Sequence, residues 1–282
     1  MNFMNRKGVG SLIRQKAALG ILALGAGLLL CGCGSQSDQE KDSSLEKIVV
    51  GIDKFEPYTY LDVNGNFRGV DIEIADEVFH RLGYEPEFQI ITWSEKNTYL
   101  ADGTIDCIWS CYSMNDREDE YQWAGPYLYS RQVIAVGTDS RIQTFDDLSD
   151  KRVGVQVTTR AANLFLHTIE SPLPNVKEVD CFATTEDMFA ALRKGYVDAI
   201  AGHEALLNEF IEHGEGKYRL LEESPHVSRI GVAFEKGTHV ELTQEMNDLI
   251  TEMSQDGTIA GIAEKYGLDA EKVVIGGETD EE

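Results

Sequence analysis

Basic residues are scarce in this sequence: 25 lysines and arginines stand against 49 aspartates and glutamates in 282 residues. Arg6, Lys7, Arg14 and Lys16 all precede residue 17, so the rest carries 21 minus 49, or −28. So acidic a body argues against a nucleic-acid partner, because phosphate binding requires clustered Lys and Arg. Cysteine is also sparse, five in all, with only Cys107, Cys111 and Cys181 beyond residue 33. An odd number, without a CxxC pair or a histidine at zinc spacing, supports neither a disulfide framework nor a metal site. One bridge stays open, and no cofactor is expected. The longest apolar run, Ala17 to Leu30, is 14 residues, short of the ~20 that a membrane-spanning helix needs.

What is present at the start is a basic region, that apolar run, and Leu30-Cys31-Gly32-Cys33. This reads as an export signal over residues 1–32, with an uncleaved helix as the alternative. The pattern resembles a bacterial lipobox with Cys33 as the lipidated residue, since Gly32 is small where Leu30 is not. Residues 33–46 then form a flexible polar tether. Residues 277–282 form an acidic, disordered tail.

Between them, strand-like runs alternate with amphipathic helical patterns, the mark of α/β architecture. Strands are expected at Lys47 to Ile52, Pro86 to Ile91, Ile105 to Trp109, Arg131 to Gly137, Arg152 to Val157, Val176 to Cys181, Val197 to Ala201 and Arg229 to Phe234. Ile72, Ala75, Val78, Phe79 and Leu82 recur at helical spacing before Gly83. Further helices are expected at Lys96 to Asp102, from Ala161 with Thr158 or Thr159 as cap, and at Thr184 to Lys194, Val240 to Gln255 and Ile259 to Tyr266. Ser110 to Glu120 reads as a turn-rich polar stretch.

Several motifs occur in a telling order. Gly51-Ile52-Asp53 precedes Phe55, Pro57, Tyr58 and Tyr60; Gly69-Val70-Asp71-Ile72 opens a helix; Trp93 is followed by Leu100 to Asp106 and Ile108-Trp109. Then come Ser110 to Arg117, Pro126-Tyr127, Asp147 to Gln156, Gly195 to Ile200 and Gly231 to Phe234. In that order the chain resembles the extracellular solute-binding proteins of family 3, the polar amino-acid ABC uptake family. The resemblance implies a two-lobed, type II periplasmic-binding-protein-like α/β fold, with two parallel or mixed sheets joined by two crossover strands. Lobe 1 would comprise residues 47–134 and 230–276, and lobe 2 residues 135–229. It implies a monomer anchored by lipid to the outer face of the cell membrane, touching the membrane through that anchor only. It would deliver an amino acid or related small polar solute to ABC permease subunits.

A zwitterion leaving water needs both charges satisfied. Arg117 suits the carboxylate, because guanidinium pairs bidentately, and the family uses its arginine so. By the same resemblance Ser113, Ser110 and Cys111 contact the ligand's backbone atoms, and Trp93, Phe55 and Tyr58 pack against its side chain. Thr158 and Thr159 stand before a helix across the cleft. The family usually has aspartate where His203 stands, and a neutral imidazole cannot neutralise an ammonium. Asp53 or Glu204 could supply that anion instead. Arg160, a cation where small polar residues are common, favours with His203 and Arg117 a more anionic ligand. An enzyme of the dehydratase type or a stand-alone sensory receptor are the alternatives. Neither a nucleophile–base pair nor a phosphate loop is visible, so the expectation is a binding protein rather than an enzyme.

Overall fold

The computed structural model describes residues 45–274. The export signal, Cys33, all but the end of the tether, and the acidic tail lie outside the described residues. In chain order the elements are β1 (Glu46–Ile52), a short β2–β3 ribbon (Tyr60–Leu61, Phe67–Arg68), α1 (Val70–Arg81), β4 (Tyr84–Ile90), α2 (Lys96–Ala101) and β5 (Cys107–Ser113). Then follow β6 (Gln122–Gly137), β7 (Arg152–Gln156), α3 (Arg160–Phe165), β8 (Glu178–Phe182), α4 (Thr185–Arg193), β9 (Ala199–His203) and α5 (Glu204–Glu212). The chain continues through β10 (Tyr218–Leu220), β11 (His226–Phe234), α6 (Val240–Gln255), α7 (Thr258–Lys265) and α8 (Ala270–Val273).

The strands hydrogen-bond in the order β4-β1-β5-β11-β6-β9-β7-β8, with β10 added to β6. β4, β1 and β5 are mutually parallel, as are β9, β7 and β8. Such parallel sets need helical crossovers that cover the faces. The two sets are joined through β6 and β11, which pair antiparallel with each other. Gln132 of β6 is the point of transfer, facing His226 of β11 on one side and His203 of β9 on the other. Apolar side chains collect accordingly. One core gathers Val50, Phe79, Trp109, Tyr127 and Met246, and others gather Val153, Leu148 and Phe165, or Met188, Leu207 and Phe210.

Two expected boundaries are corrected. β5 runs on through Ser113 with all seven residues buried, where turns were expected from Ser110. A central strand buried on both faces shows no alternation, and its small polar residues find internal partners: Ser110 Oγ accepts from Asp53 N–H at 3.1 Å. β6 begins at Gln122 rather than Arg131. Pro126 reads as a strand breaker, but the register of β11 shifts between Ile230 and Val232 opposite it, and proline is admitted at such bulges. Helix α5, unassigned from sequence, buries Leu206, Leu207 and Phe210.

Candidate functional site

The loops at the carboxyl ends of β1, β5, β7 and β9 converge on one cleft. The β4–β1–β5 side contributes Asp53, Phe55, Trp93, Ser110, Cys111, Tyr112, Ser113 and Arg117. The β9–β7–β8 side contributes Gln156, Thr159, Arg160 and His203. Ten of the twelve residues expected from sequence therefore meet there. Tyr58 does not: it is buried in the core beneath Phe55, and its hydroxyl donates to Ser130 Oγ at 3.4 Å. Thr158 does not line the cleft either; its Oγ1 accepts from Lys96 Nζ at 3.0 Å.

Arg117 is 8% exposed. Its guanidinium lies 5.1 Å from the centre of the Tyr112 ring and donates to the carbonyl of Ser113 at 3.1 Å. No carboxylate of the described residues forms an ion pair with it. Stacking on an aromatic face holds the planar fork in place while leaving donors for a ligand. Cys111 adopts a left-handed backbone (φ 46°), its N–H given to the buried Asp71 carboxylate at 2.6 Å. Burial, with the charge of Asp71, pushes the Cys111 thiol well above its ordinary range, so it stays a protonated wall group. Cys107, Cys111 and Cys181 are all free thiols.

His203 stands at the joint. Its Nδ1 lies 2.9 Å from Ser130 Oγ, Gln132 Nε2 lies 3.1 Å from the same nitrogen, and Phe55 meets the ring edge-on at 5.7 Å. Burial, with smaller contributions from His226 and Arg117, lowers its pKa to about 3. The imidazole is thus neutral and gives a cation no counter-charge. Of the two alternative anions, Glu204 is engaged by Arg131 at 3.0 Å and lies outside the cleft lining. Asp53 lines the cleft, and burial raises its pKa against the hydrogen bond from Gln156 Nε2 at 2.8 Å. It is the carboxylate through which an ammonium could be met.

Arg160 behaves differently from expectation. Its guanidinium pairs with Asp116 and donates to the carbonyl of Asn115 at 3.2 Å, so its charge is met within the protein. That pair, Gln156 with Asp53, and Lys96 with Thr158 are three polar contacts spanning the cleft. Thr159 caps α3, its Oγ1 accepting from Ala162 N–H at 3.2 Å. Sequence reasoning missed Gln156 and Tyr112 of the lining, and Lys96, which stands directly behind it against Trp93 and Tyr112. Tyr112 could have been found from its place beside Ser113, whereas no spacing signals the other two.

The family model for bacterial extracellular solute-binding proteins, family 3, matches residues 48–269. The chain belongs to that family. It is 26% identical over 267 residues to the L-cystine-binding protein TcyJ of Escherichia coli K12, covering 92% of this chain and 97% of that one. A Streptococcus pneumoniae ABC uptake transporter substrate-binding protein with bound histidine superposes with a TM-score of 0.73 at 25% identity, covering 79% of this chain and 94% of that one. An ancestral arginine-binding protein bound to arginine gives 0.71 at 26% identity, covering 78% and 97%. The fold is therefore the two-lobed, type II periplasmic-binding-protein fold. Among the described residues no helix is long and apolar enough to cross a membrane.

Proposed function

We propose that this family 3 protein is the lipid-anchored, extracytoplasmic substrate-binding component of an ABC importer, which captures an amino acid or related small polar solute as its lobes close. The lobes are taken as residues 47–134 with 230–276, and residues 135–229. The observation that carries the reading is Arg117: a nearly buried guanidinium, stacked on Tyr112 and without an acidic partner, at a cleft walled from both sides. An unpaired buried cation is costly, and a ligand carboxylate removes that cost. Asp53 takes the α-ammonium in place of the family's usual aspartate, and Phe55 and Trp93 cover the side chain. Relatives whose names record cystine, histidine and arginine support the amino-acid class.

Titration calorimetry of the full-length chain in mild detergent against the common amino acids tests this. At least one is expected to bind, and Arg117→Ala is expected to weaken it about 100-fold, the effect of removing one member of a buried charge pair. Undiminished binding by that variant, or no binding of any amino acid by the parent, sinks the reading. The anchor is tested separately by incorporation of a labelled fatty acid in cells, expected to vanish in Cys33→Ala.

A further inference from the structure

Lys96, the first residue of α2, is 3% exposed. Its ammonium sits 4.7 Å from the centre of the Trp93 ring and 5.5 Å from that of Tyr112, both of which wall the cleft, while Lys96 itself stands directly behind that lining. Of its three N–H groups, one goes to Thr158 Oγ1 at 3.0 Å, and the Trp93 carbonyl holds another weakly at 3.5 Å. It makes no ion pair with any carboxylate of the described residues. The charges that act on it are Arg117, which opposes its protonation, and Glu120 and Asp53, which favour it. A buried ammonium is almost always paired, and here the protein supplies aromatic faces, a hydroxyl and one long carbonyl contact, with no carboxylate of the described residues in ion-pair range.

Two more donors of the cleft lining, one from each side, lack acceptors: Trp93 Nε1 and Arg160 Nε are buried and unpartnered. The charges can then be matched. Arg117 and Lys96 are cations with no protein counter-ion, Arg160 is satisfied by Asp116, His203 is neutral, and Asp53 is the carboxylate lining the cleft. A ligand with one carboxylate and one ammonium leaves a buried cation over. A ligand with two carboxylates and one ammonium leaves none.

We infer that Lys96 is a specificity-determining residue whose ammonium receives a second, side-chain carboxylate of the ligand, so that the cleft selects acidic amino acids. The inference rests on the amino-acid reading above and narrows it. Burial, then the charge of Arg117, lower the Lys96 amine to about 8. Affinity for a second carboxylate therefore declines above pH 8, as the ammonium is lost before the ligand arrives.

The test is calorimetry of the full-length chain and of Lys96→Gln with L-glutamate and L-aspartate against the isosteric L-glutamine and L-asparagine. The parent is expected to prefer the acid over its amide by at least about tenfold at pH 7, the scale of one charge-assisted contact. That preference should collapse above pH 8.5, and Lys96→Gln should level it at pH 7 while keeping affinity for the amide. Equal affinity for acid and amide in the parent overturns the inference, as does tightest binding of a neutral or basic amino acid. An equal loss for acid and amide in Lys96→Gln places Lys96 on the α-carboxylate and overturns it too. Binding of no amino acid at all instead defeats the broader reading. Circular dichroism and melting of Lys96→Gln separate any folding defect from a change in selectivity.

Discussion

Asp71 shows how a single buried side chain shapes this site. From the first turn of α1 it accepts the Cys111 N–H at 2.6 Å and the Tyr127 hydroxyl at 2.8 Å, holding the left-handed residue at the cleft floor. Burial raises its pKa to about 7 against the lowering effect of those two bonds. In the unfolded chain the group titrates near 3.9. Its contribution to stability is thus fully present below about pH 4 and is lost as pH rises through 7, an effect on the order of 4 kcal/mol. His203, with its pKa lowered to about 3, works in the opposite direction, since the unfolded imidazole takes up its proton first as pH falls below about 6.5. Asp71→Asn keeps an acceptor for Cys111 and removes only the first titration. Its stability relative to the parent, from urea denaturation, is expected to rise between pH 4.5 and 7.5; a constant offset contradicts the assignment. Such residues divide sharply by legibility. Arg117 was recognisable because it ends an ordered motif, whereas Lys96 looks in sequence like any solvent-facing lysine opening a helix, and only the packing of Trp93 and Tyr112 buries it.

Among the elements, the loop between β1 and α1 sets the aromatic wall. It is fastened by Val70 N–H to the Pro57 carbonyl at 3.1 Å and Asp71 N–H to the Tyr58 carbonyl at 3.0 Å. Gly69 permits this: its φ is 128°, and a Cβ there would come within 2.1 Å of the Tyr58 carbonyl oxygen. Gly69→Ala must therefore displace backbone, and is expected to cost more than about 2 kcal/mol and to weaken ligand binding through Phe55. Chemical denaturation and calorimetry of that variant check both; a variant as stable as the parent refutes the contact. The helices with clear apolar spacing, α1, α4 and α6, were readable from sequence alone. The second half of β5 and the first half of β6 were not, because burial on both faces removes the alternation that marks a strand and because a bulge in the neighbouring β11 excuses Pro126. The catalogue of motifs supplied the order of the site, and the cross-cleft partners Gln156 and Lys96 emerged only when distant segments were brought together.

For the whole molecule, the proposed function has a thermodynamic signature. A ligand bound between the two parallel strand sets stabilises the folded chain by about 2.7 kcal/mol at a hundredfold excess over its Kd. The melting temperature is therefore expected to rise by a few degrees in thermal-shift measurements with the preferred amino acid, and not with Arg117→Ala. The joint itself is tightly constructed: Gln132 pairs in register with both His226 and His203, and its Nε2 also donates to Ser228 Oγ at 3.1 Å. β6 passes through that joint as one uninterrupted strand of 16 residues. Side chains alternate between faces along a strand, so inserting or deleting one residue before Gln132 would turn every later side chain of β6 to the opposite face. Length changes are thereby closed to this strand as a route to new specificity. Divergence in what the cleft accepts must proceed by exchanging side chains such as those at positions 53, 96 and 203, with the scaffold's register left untouched.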